Sequence, residues 1–185
     1  MKRHHLLMIF AAAAVLQLAV PASMILKREQ TLAHGRAFKF RTAPVDPYDA
    51  FRGRFVALNF EQQTVGLSPD HDFKRHEKIF ALISEDAEGF AYFSDIRRDR
   101  PETAPCLRAE IQYVSGADVH LRIPFDRFYM EESEAPEAER IYRQNSVPSH
   151  RNTFVQVRVD RGFGVIEDLY VDNVPIRERL AWQGE

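Results

Sequence analysis

The first apolar segment of the chain shows no alternation of polar and hydrophobic positions. After the basic start MKRHH, residues 6–26 carry no charge. At about 1.5 Å of rise per helical residue, this segment is about 30 Å long, which is the thickness of a bilayer hydrocarbon core. We therefore predict a transmembrane anchor over 6–26, preceded by a cytoplasmic tail over 1–5. A cleaved signal peptide is the alternative, because Val20-Pro21-Ala22 resembles a cleavage site.

Residues 27–35 are short and polar, so we expect a stalk or a continuation of the helix. Lys2, Arg3 and the amino terminus before the span are balanced by Lys27, Arg28 and Arg36 after it, so charge counting does not orient the span. Long domains that follow a span are translocated largely regardless of charge. We therefore place the soluble part, 36–185, on the periplasmic side of the cytoplasmic (inner) membrane.

Beyond the anchor, apolar and polar positions alternate with a period of two, which is typical of strands with one buried face. We predict strands at 36–41, 54–60, 78–84, 90–94, 107–113, 119–123, 154–160 and 165–171, and a loop at 62–74. One later segment, 133–144, has helical features: early acids, a proline in its first turn, and Glu139 four residues ahead of Arg143. The pattern predicts a mainly β fold, an antiparallel sandwich or barrel-like domain with one short helix.

Composition excludes several classes of function. A formal charge of −2 argues against nucleic-acid binding, and one cysteine, Cys106, allows neither an intrachain disulfide nor a multi-cysteine metal site. His71 and His76 lie five residues apart, which fits no common metal-ligand spacing, so we read a solvated loop and no metal site. No glycine-rich phosphate loop or serine-nucleophile motif is present, and we predict no cofactor.

Carboxylates are the stronger candidates for chemistry. Asp126, Glu131 and Glu132 lead into the predicted helix, which carries Glu137 and Glu139. Such a cluster can raise one carboxyl pKa and supply a general acid and base. Acids at the start of a helix also face its positive end, and we favour this structural use.

The stretch PVDPYDAFRGRFVALNF, 44–60, contains the most distinctive motif of the chain. Its part 53–60, GRFVALNF, resembles the signature of the GDYXXLXY family of membrane-anchored bacterial proteins. Arg127-Phe128-Tyr129, followed by Glu132 and Glu139, is similar to the family's aromatic-and-acid motif. The resemblance covers nearly the whole chain and implies a neighbouring multi-spanning membrane protein as partner, but no established activity.

The chain departs from the family pattern at four positions. Arg54 replaces the acid after the glycine, Phe55 and Phe60 replace the two signature tyrosines, and Ser133 stands where the family favours glycine. Reversing a charge and removing two phenol hydroxyls abolishes acid–base roles at the first three. We therefore expect these residues to pack and not to react.

The matched residues form our candidate binding set, and none is predicted to be catalytic. They are Asp46, Asp49, Arg52, Gly53, Arg127, Tyr129, Glu132 and Glu139. We expect Asp46 and Arg52 to form a local clasp, with Glu132 or Glu139 as a further partner of the arginine. The predicted function is a non-enzymatic binding or scaffold module that works with an integral membrane partner; the alternative is an envelope hydrolase using Glu132, Glu139 and Asp46.

Overall fold

The computed structural model of the chain describes residues 3–43, 55–146 and 152–181. Within these ranges the chain forms three helices and twelve strands, and neighbouring strands of each sheet pair antiparallel. The fold class predicted from the sequence is confirmed: a mainly β, barrel-like domain follows a long apolar helix.

Helix α1 (Arg3–His34) contains the predicted span. Its part Met8–His34 is long and apolar enough to cross a membrane, and its most apolar window is not buried against the protein. Pro21 lies inside the helix without ending it, which apolar spanning helices tolerate. Of the two expectations for 27–35, the helix continuation is what the structure shows for 27–34.

The first sheet has the strand order β12-β11-β10-β1-β3. Its strands are β1 (Arg36–Ala43), β3 (Asn59–Phe60), β10 (Thr153–Asp160), β11 (Phe163–Val171) and β12 (Val174–Pro175). The two-residue period of β1 buries Phe38 and Phe40 on one face. The turn from β10 to β11 contains Arg161 and Gly162, both with positive φ.

The second sheet has the strand order β4-β8-β7-β5-β6. Its strands are β4 (Thr64–Gly66), β5 (Lys78–Glu85), β6 (Ala91–Arg97), β7 (Cys106–Ser115) and β8 (Asp118–Arg122). Strand β4 lies within the loop predicted at 62–74, so that prediction was wrong for three residues. Val65 is buried there and pairs with Val119 of β8, a long-range contact that the local pattern does not reveal.

The two sheets nearly close into a barrel. Isolated parallel bridges join Lys39 to Phe90 and Leu107 to Gly162, so the sheets touch near β6 and at the β10–β11 turn. Phenylalanines from both sheets fill the space between them, with ring centroids of Phe40 and Phe93 5.5 Å apart. The closure leaves one continuous core.

Helix α1 is joined to the β domain by one residue, Gly35. The Gly35 N–H donates to the Thr31 carbonyl at 2.8 Å, and its own carbonyl accepts from Arg158 at 3.3 Å. A Cβ at this position would collide with the Thr31 carbonyl and lie 3.1 Å from the Val159 nitrogen. One turn earlier still, the Lys27 ammonium lies 4.3 Å from the Phe163 ring centroid. The last turns of α1 are therefore packed on the β10–β11 hairpin.

Two further helices lie against the barrel. Helix α2 (Ala135–Asn145) confirms the prediction at 133–144 and buries Ala138, Ile141 and Tyr142 at helical spacing. Helix α3 (Ile176–Ala181) directly follows β12 and was not predicted. It is too short for a periodic pattern, and its buried residue, Ile176, is recognisable only from the fold.

Candidate functional site

The described part of the family motif begins in a short ribbon of two strands. Strand β2 (Phe55–Ala57) pairs antiparallel with β9 (Arg127–Tyr129). The central pair, Val56 and Phe128, points into the core and is buried. Because side chains alternate along a strand, the two outer pairs lie on the opposite face. Those pairs are Phe55 with Tyr129 and Ala57 with Arg127.

The outer face of this ribbon carries a cation and two aromatic rings in contact. The Arg127 guanidinium lies 4.7 Å from the Phe55 ring centroid, and the rings of Phe55 and Tyr129 meet edge to face with centroids 5.7 Å apart. Arg127 forms a long ion pair with Asp126, with 3.5 Å between Nε and the carboxylate oxygen Oδ1. Tyr129 is 58% exposed. Arginine and tyrosine are enriched among the side chains that dominate binding energy at protein interfaces.

The candidate carboxylates on α2 are held in ion pairs along the helix. Glu139 accepts from Arg143 at 2.6 Å, and Glu137 accepts from Arg140 at 2.9 Å. The Arg140 guanidinium holds the pKa of Glu137 below its ordinary range, which opposes a role as general acid. Glu132 is exposed in the connection from β9 to α2. Glu137 and Glu139 are thus paired along the helix, while the expected use of the acids at its positive end stays a prediction.

The predicted clasp falls outside the described residues. Asp46, Asp49, Arg52 and Gly53 all belong to 44–54, so the clasp and the hydrolase alternative through Asp46 stay predictions. The described structure shows where this segment begins and ends: it leaves β1 at Ala43 and returns at Phe55.

Sequence reasoning missed the contacts of Thr42 and Ala43, the last described residues before this segment. The Tyr142 hydroxyl, on a fully buried side chain of α2, donates to the Ala43 carbonyl at 2.8 Å. Burial raises the pKa of Tyr142 to about 12. Beside it, the Thr42 hydroxyl donates to that of Thr153 at 2.8 Å, and both threonines are buried. The only local signal was the helical spacing of Tyr142 with Ala138, which predicts burial but not a partner.

The polar loop considered for metal binding is occupied by other contacts. Arg98 pairs with Asp72 at 2.9 Å and with Glu77 at 2.6 Å, and it lowers the pKa of both carboxyls. His76 contacts Glu110 at 2.8 Å, and His71 contacts the Gly116 carbonyl at 3.1 Å. Among the described residues, no group of three or more histidine, cysteine, aspartate or glutamate side chains is placed to hold a metal ion.

The fold and the ribbon together define a class: a protein with a candidate membrane helix fused directly to a barrel-like β domain that presents an aromatic and cationic face. The chain belongs to the GDYXXLXY family, whose model, described as GDYXXLXY protein, matches residues 17–169. The resemblance stated from the motifs is thereby confirmed. Neither the curated proteins nor the solved structures include a match to this chain.

The family's signature residues have separate positions in this fold. Phe60 is buried in the core, where its ring centroid lies 5.7 Å from that of Phe125. Phe55 lies on the outer face of the ribbon, partly covered by Tyr129 and Arg127. Both rings pack, as expected where phenylalanine replaces the family's tyrosine. Arg54 lies outside the described residues, and Ser133 is exposed just before α2.

Proposed function

We propose that this protein is a membrane-anchored, non-enzymatic module that binds an integral membrane protein through the outer face of the β2–β9 ribbon. In this proposal α1 spans the cytoplasmic membrane and the β domain lies on its periplasmic side. The ribbon face supplies the contact surface through Arg127, Phe55 and Tyr129.

The observation that carries the proposal is the position of the ribbon beside α1. Arg127 and Tyr129 line the same surface depression as Arg28 and Leu32 of the helix. Arg28 is two residues beyond Leu26, the last residue of the uncharged segment, so it lies about 3 Å further along the helix. A protein bound to this face therefore also meets the bilayer surface, which favours a partner that is itself embedded in the membrane.

The composition of the ribbon face supports binding in preference to chemistry. Tyrosine and arginine give large contact areas and directional hydrogen bonds, and they are enriched among residues whose truncation weakens protein complexes. The Arg127 guanidinium already contacts the Phe55 ring, at 4.7 Å from its centroid, which reduces the conformational entropy lost when a partner binds.

Site-specific photo-crosslinking in intact membranes tests the proposal. The full chain would carry a photo-reactive phenylalanine derivative in place of Tyr129, and in a matched control in place of Tyr113, which is 45% exposed on the second sheet. We expect position 129 to crosslink to one integral membrane protein, identified by mass spectrometry, and position 113 not to do so. Crosslinks from position 129 to soluble proteins alone, or no protein crosslink, would contradict the proposal.

Truncating the tyrosine side chain to alanine makes the test quantitative. Tyr129→Ala should reduce recovery of the crosslinked partner in mild-detergent purification by about tenfold or more, as expected for an interface anchor. Tyr113→Ala should leave recovery unchanged. Equal losses in both variants would indicate a general effect of surface aromatics and not a binding face.

A further inference from the structure

A surface groove lies where α1 meets the β domain. It encloses about 410 Å³ between the last turns of the helix, the β9 segment and the start of β11. We call it the membrane-proximal groove. Its apolar lining includes Leu32, Phe128, Phe163, Val165 and Ile166. Three arginines also line it, Arg28 from α1, Arg127 from β9 and Arg177 from α3.

The groove begins at the level of the lipid headgroups. The headgroup layer adds about 5–7 Å to each side of the hydrocarbon core. Arg28 follows the uncharged segment by about 3 Å of helix and Leu32 by about 9 Å. One end of the groove therefore lies within this layer when α1 spans a bilayer, and lipids reach it by lateral diffusion.

The charges that face the groove are net positive. Arg28 forms no ion pair with any carboxylate in 3–43, 55–146 or 152–181, and it is exposed. Arg177 is exposed and lies 5.3 Å from the Phe128 ring centroid. The two acids of the lining are Asp126 and Glu167, and the second accepts two hydrogen bonds from Arg158 at 2.7 and 3.0 Å. Since Arg158 neutralises Glu167, Asp126 is the remaining acid of the lining, and Asp168, outside the lining, also interacts with Arg177.

We propose that the membrane-proximal groove binds the phosphate of an anionic phospholipid. Guanidinium groups bind phosphate oxygens with strong, charge-assisted hydrogen bonds, and Arg28 and Arg177 are the cations available for them. The apolar floor, with Val165 and Ile166, accommodates the glycerol and the first part of an acyl chain. Basic pockets between membrane helices on the cytoplasmic side bind anionic headgroups through the same chemistry. The groove shares Arg127 and Tyr129 with the ribbon face, but its phosphate contacts are assigned to Arg28 and Arg177, which lie outside the ribbon. The proposal therefore goes beyond the proposed function.

Native mass spectrometry of the full chain in detergent micelles tests the proposal. Micelles would contain phosphatidylglycerol or phosphatidylcholine at equal mole fraction, and bound lipid would be counted from the mass of the protein. We expect one phosphatidylglycerol to be retained in preference to phosphatidylcholine. The double variant Arg28→Ala/Arg177→Ala should reduce its apparent affinity about 25-fold, since each arginine near an anionic surface contributes about fivefold.

Two further variants separate a groove from general surface charge. Arg97→Ala/Arg122→Ala removes two exposed arginines of the second sheet, whose side chains are 59% and 60% exposed, and should leave lipid retention unchanged. Ile166→Trp keeps every charge but fills the floor, so it should reduce retention as well. Thermal unfolding of each variant checks that the fold is intact.

Several outcomes would overturn the proposal. Unchanged retention in Arg28→Ala/Arg177→Ala, or equal retention of the two lipids, would show that no anionic headgroup is selected. Full lipid retention in Ile166→Trp would show that the lipid is held by general electrostatic attraction and not by the groove. Displacement of the lipid by millimolar inorganic phosphate would assign the site to a soluble anion, and a retained polypeptide mass would assign it to a protein. The two proposals are distinguished by crosslinking from position 129 in the Arg28→Ala/Arg177→Ala background. If the crosslink to the membrane protein persists there while lipid retention is lost, the partner and the lipid bind independently.

Discussion

The hydroxyl of Tyr142 donates to the backbone carbonyl of Ala43, 99 residues earlier in the chain, at 2.8 Å. This hydrogen bond fixes helix α2 to the last residue of β1, directly before the stretch 44–60. The Thr42 side chain and the Asn59 backbone also lie at this hydroxyl. One buried phenol thus ties together α2, β1 and β3.

Tyr142→Phe should lower the free energy of unfolding by about 1–2 kcal/mol. The variant keeps the buried ring but removes a hydrogen bond from an interior site, where no water replaces it. Urea titration of the full chain in micelles, followed by circular dichroism, measures the difference. Tyr113→Phe, at an exposed tyrosine, is the control and should be within 0.5 kcal/mol of the parent. Equal stability of Tyr142→Phe and the parent would contradict the interpretation.

The same tyrosine should make stability fall at alkaline pH. Burial raises the pKa of Tyr142 from an ordinary value of 10.0 to about 12. The folded state then keeps a neutral phenol while the unfolded chain ionises, so the stabilisation is complete below pH 10 and is lost as pH rises toward 12. At pH 12 the ionisation of this tyrosine in the unfolded chain should lower the free energy of unfolding by about 2–3 kcal/mol. Urea titrations between pH 9 and 12 should therefore show a smaller decline in Tyr142→Phe; parallel declines would rule out this tyrosine as the cause.

Gly162→Ala should destabilise the closure between the two sheets. Gly162 has a φ of 85°, and a Cβ there would lie 2.9 Å from the Phe80 ring. The Gly162 carbonyl also accepts from the Arg108 N–H at 2.8 Å, so the backbone cannot move away freely. We expect a loss of about 2–4 kcal/mol, from backbone strain and overpacking together.

Gly89→Ala is the matched control for that variant. Gly89 has a φ of 79°, and nothing lies within 4 Å of its hypothetical Cβ. It should lose only the strain, about 1–2 kcal/mol. The thermal unfolding temperature of both variants measures the difference. If Gly162→Ala were no worse than Gly89→Ala, the close approach of the sheets would not contribute to stability.

Glu167→Gln should weaken the junction of α1 with the hairpin. Arg158 holds the pKa of Glu167 below its ordinary value and also donates to the Gly35 carbonyl. Because the folded-state pKa is lowered, the stabilisation is present above about pH 4.5 and is lost as pH falls further. At neutral pH we expect a loss of about 1 kcal/mol, since both side chains are about one-third exposed.

The acid limb of the stability profile measures this effect. Urea titrations from pH 7 to 3 should show a weaker dependence on pH in Glu167→Gln than in the parent. Glu88→Gln removes an acid of which 75% of the side chain is exposed and which also pairs with an arginine, so it should change stability by less than 0.5 kcal/mol. An equal response in the two variants would show that the Arg158 pair is no stronger than a surface pair.

The longer strands and the two longer helices were accessible from the sequence because their signals are local. Alternation marks β1, β5, β7, β10 and β11, and the ion pair of Glu139 with Arg143 follows from their spacing of four. Strands of two or three residues, such as β4, and the six-residue α3 have too few positions for a period. They exist because distant residues pair with them or cover them.

The candidate site was accessible only in part for a related reason. Arg127 and Tyr129 could be singled out from the motif, but their contacts with Phe55 depend on the register of β2 against β9. Register is a property of the folded sheet, not of either segment alone. The groove likewise combines α1, β9, β11 and α3, which are brought together only by the complete fold.

The single glycine between α1 and β1 has a mechanical consequence. A flexible linker of about thirty residues would let a tethered domain move roughly 30 Å from its anchor, whereas one immobilised residue allows no such displacement. Any tilt or spin of the helix in the lipid must therefore turn the barrel through the same angle. If two copies associated through their barrels, that contact would also set the distance and relative rotation of their helices. Conversely, a rearrangement of the helices in an assembly would displace the barrels.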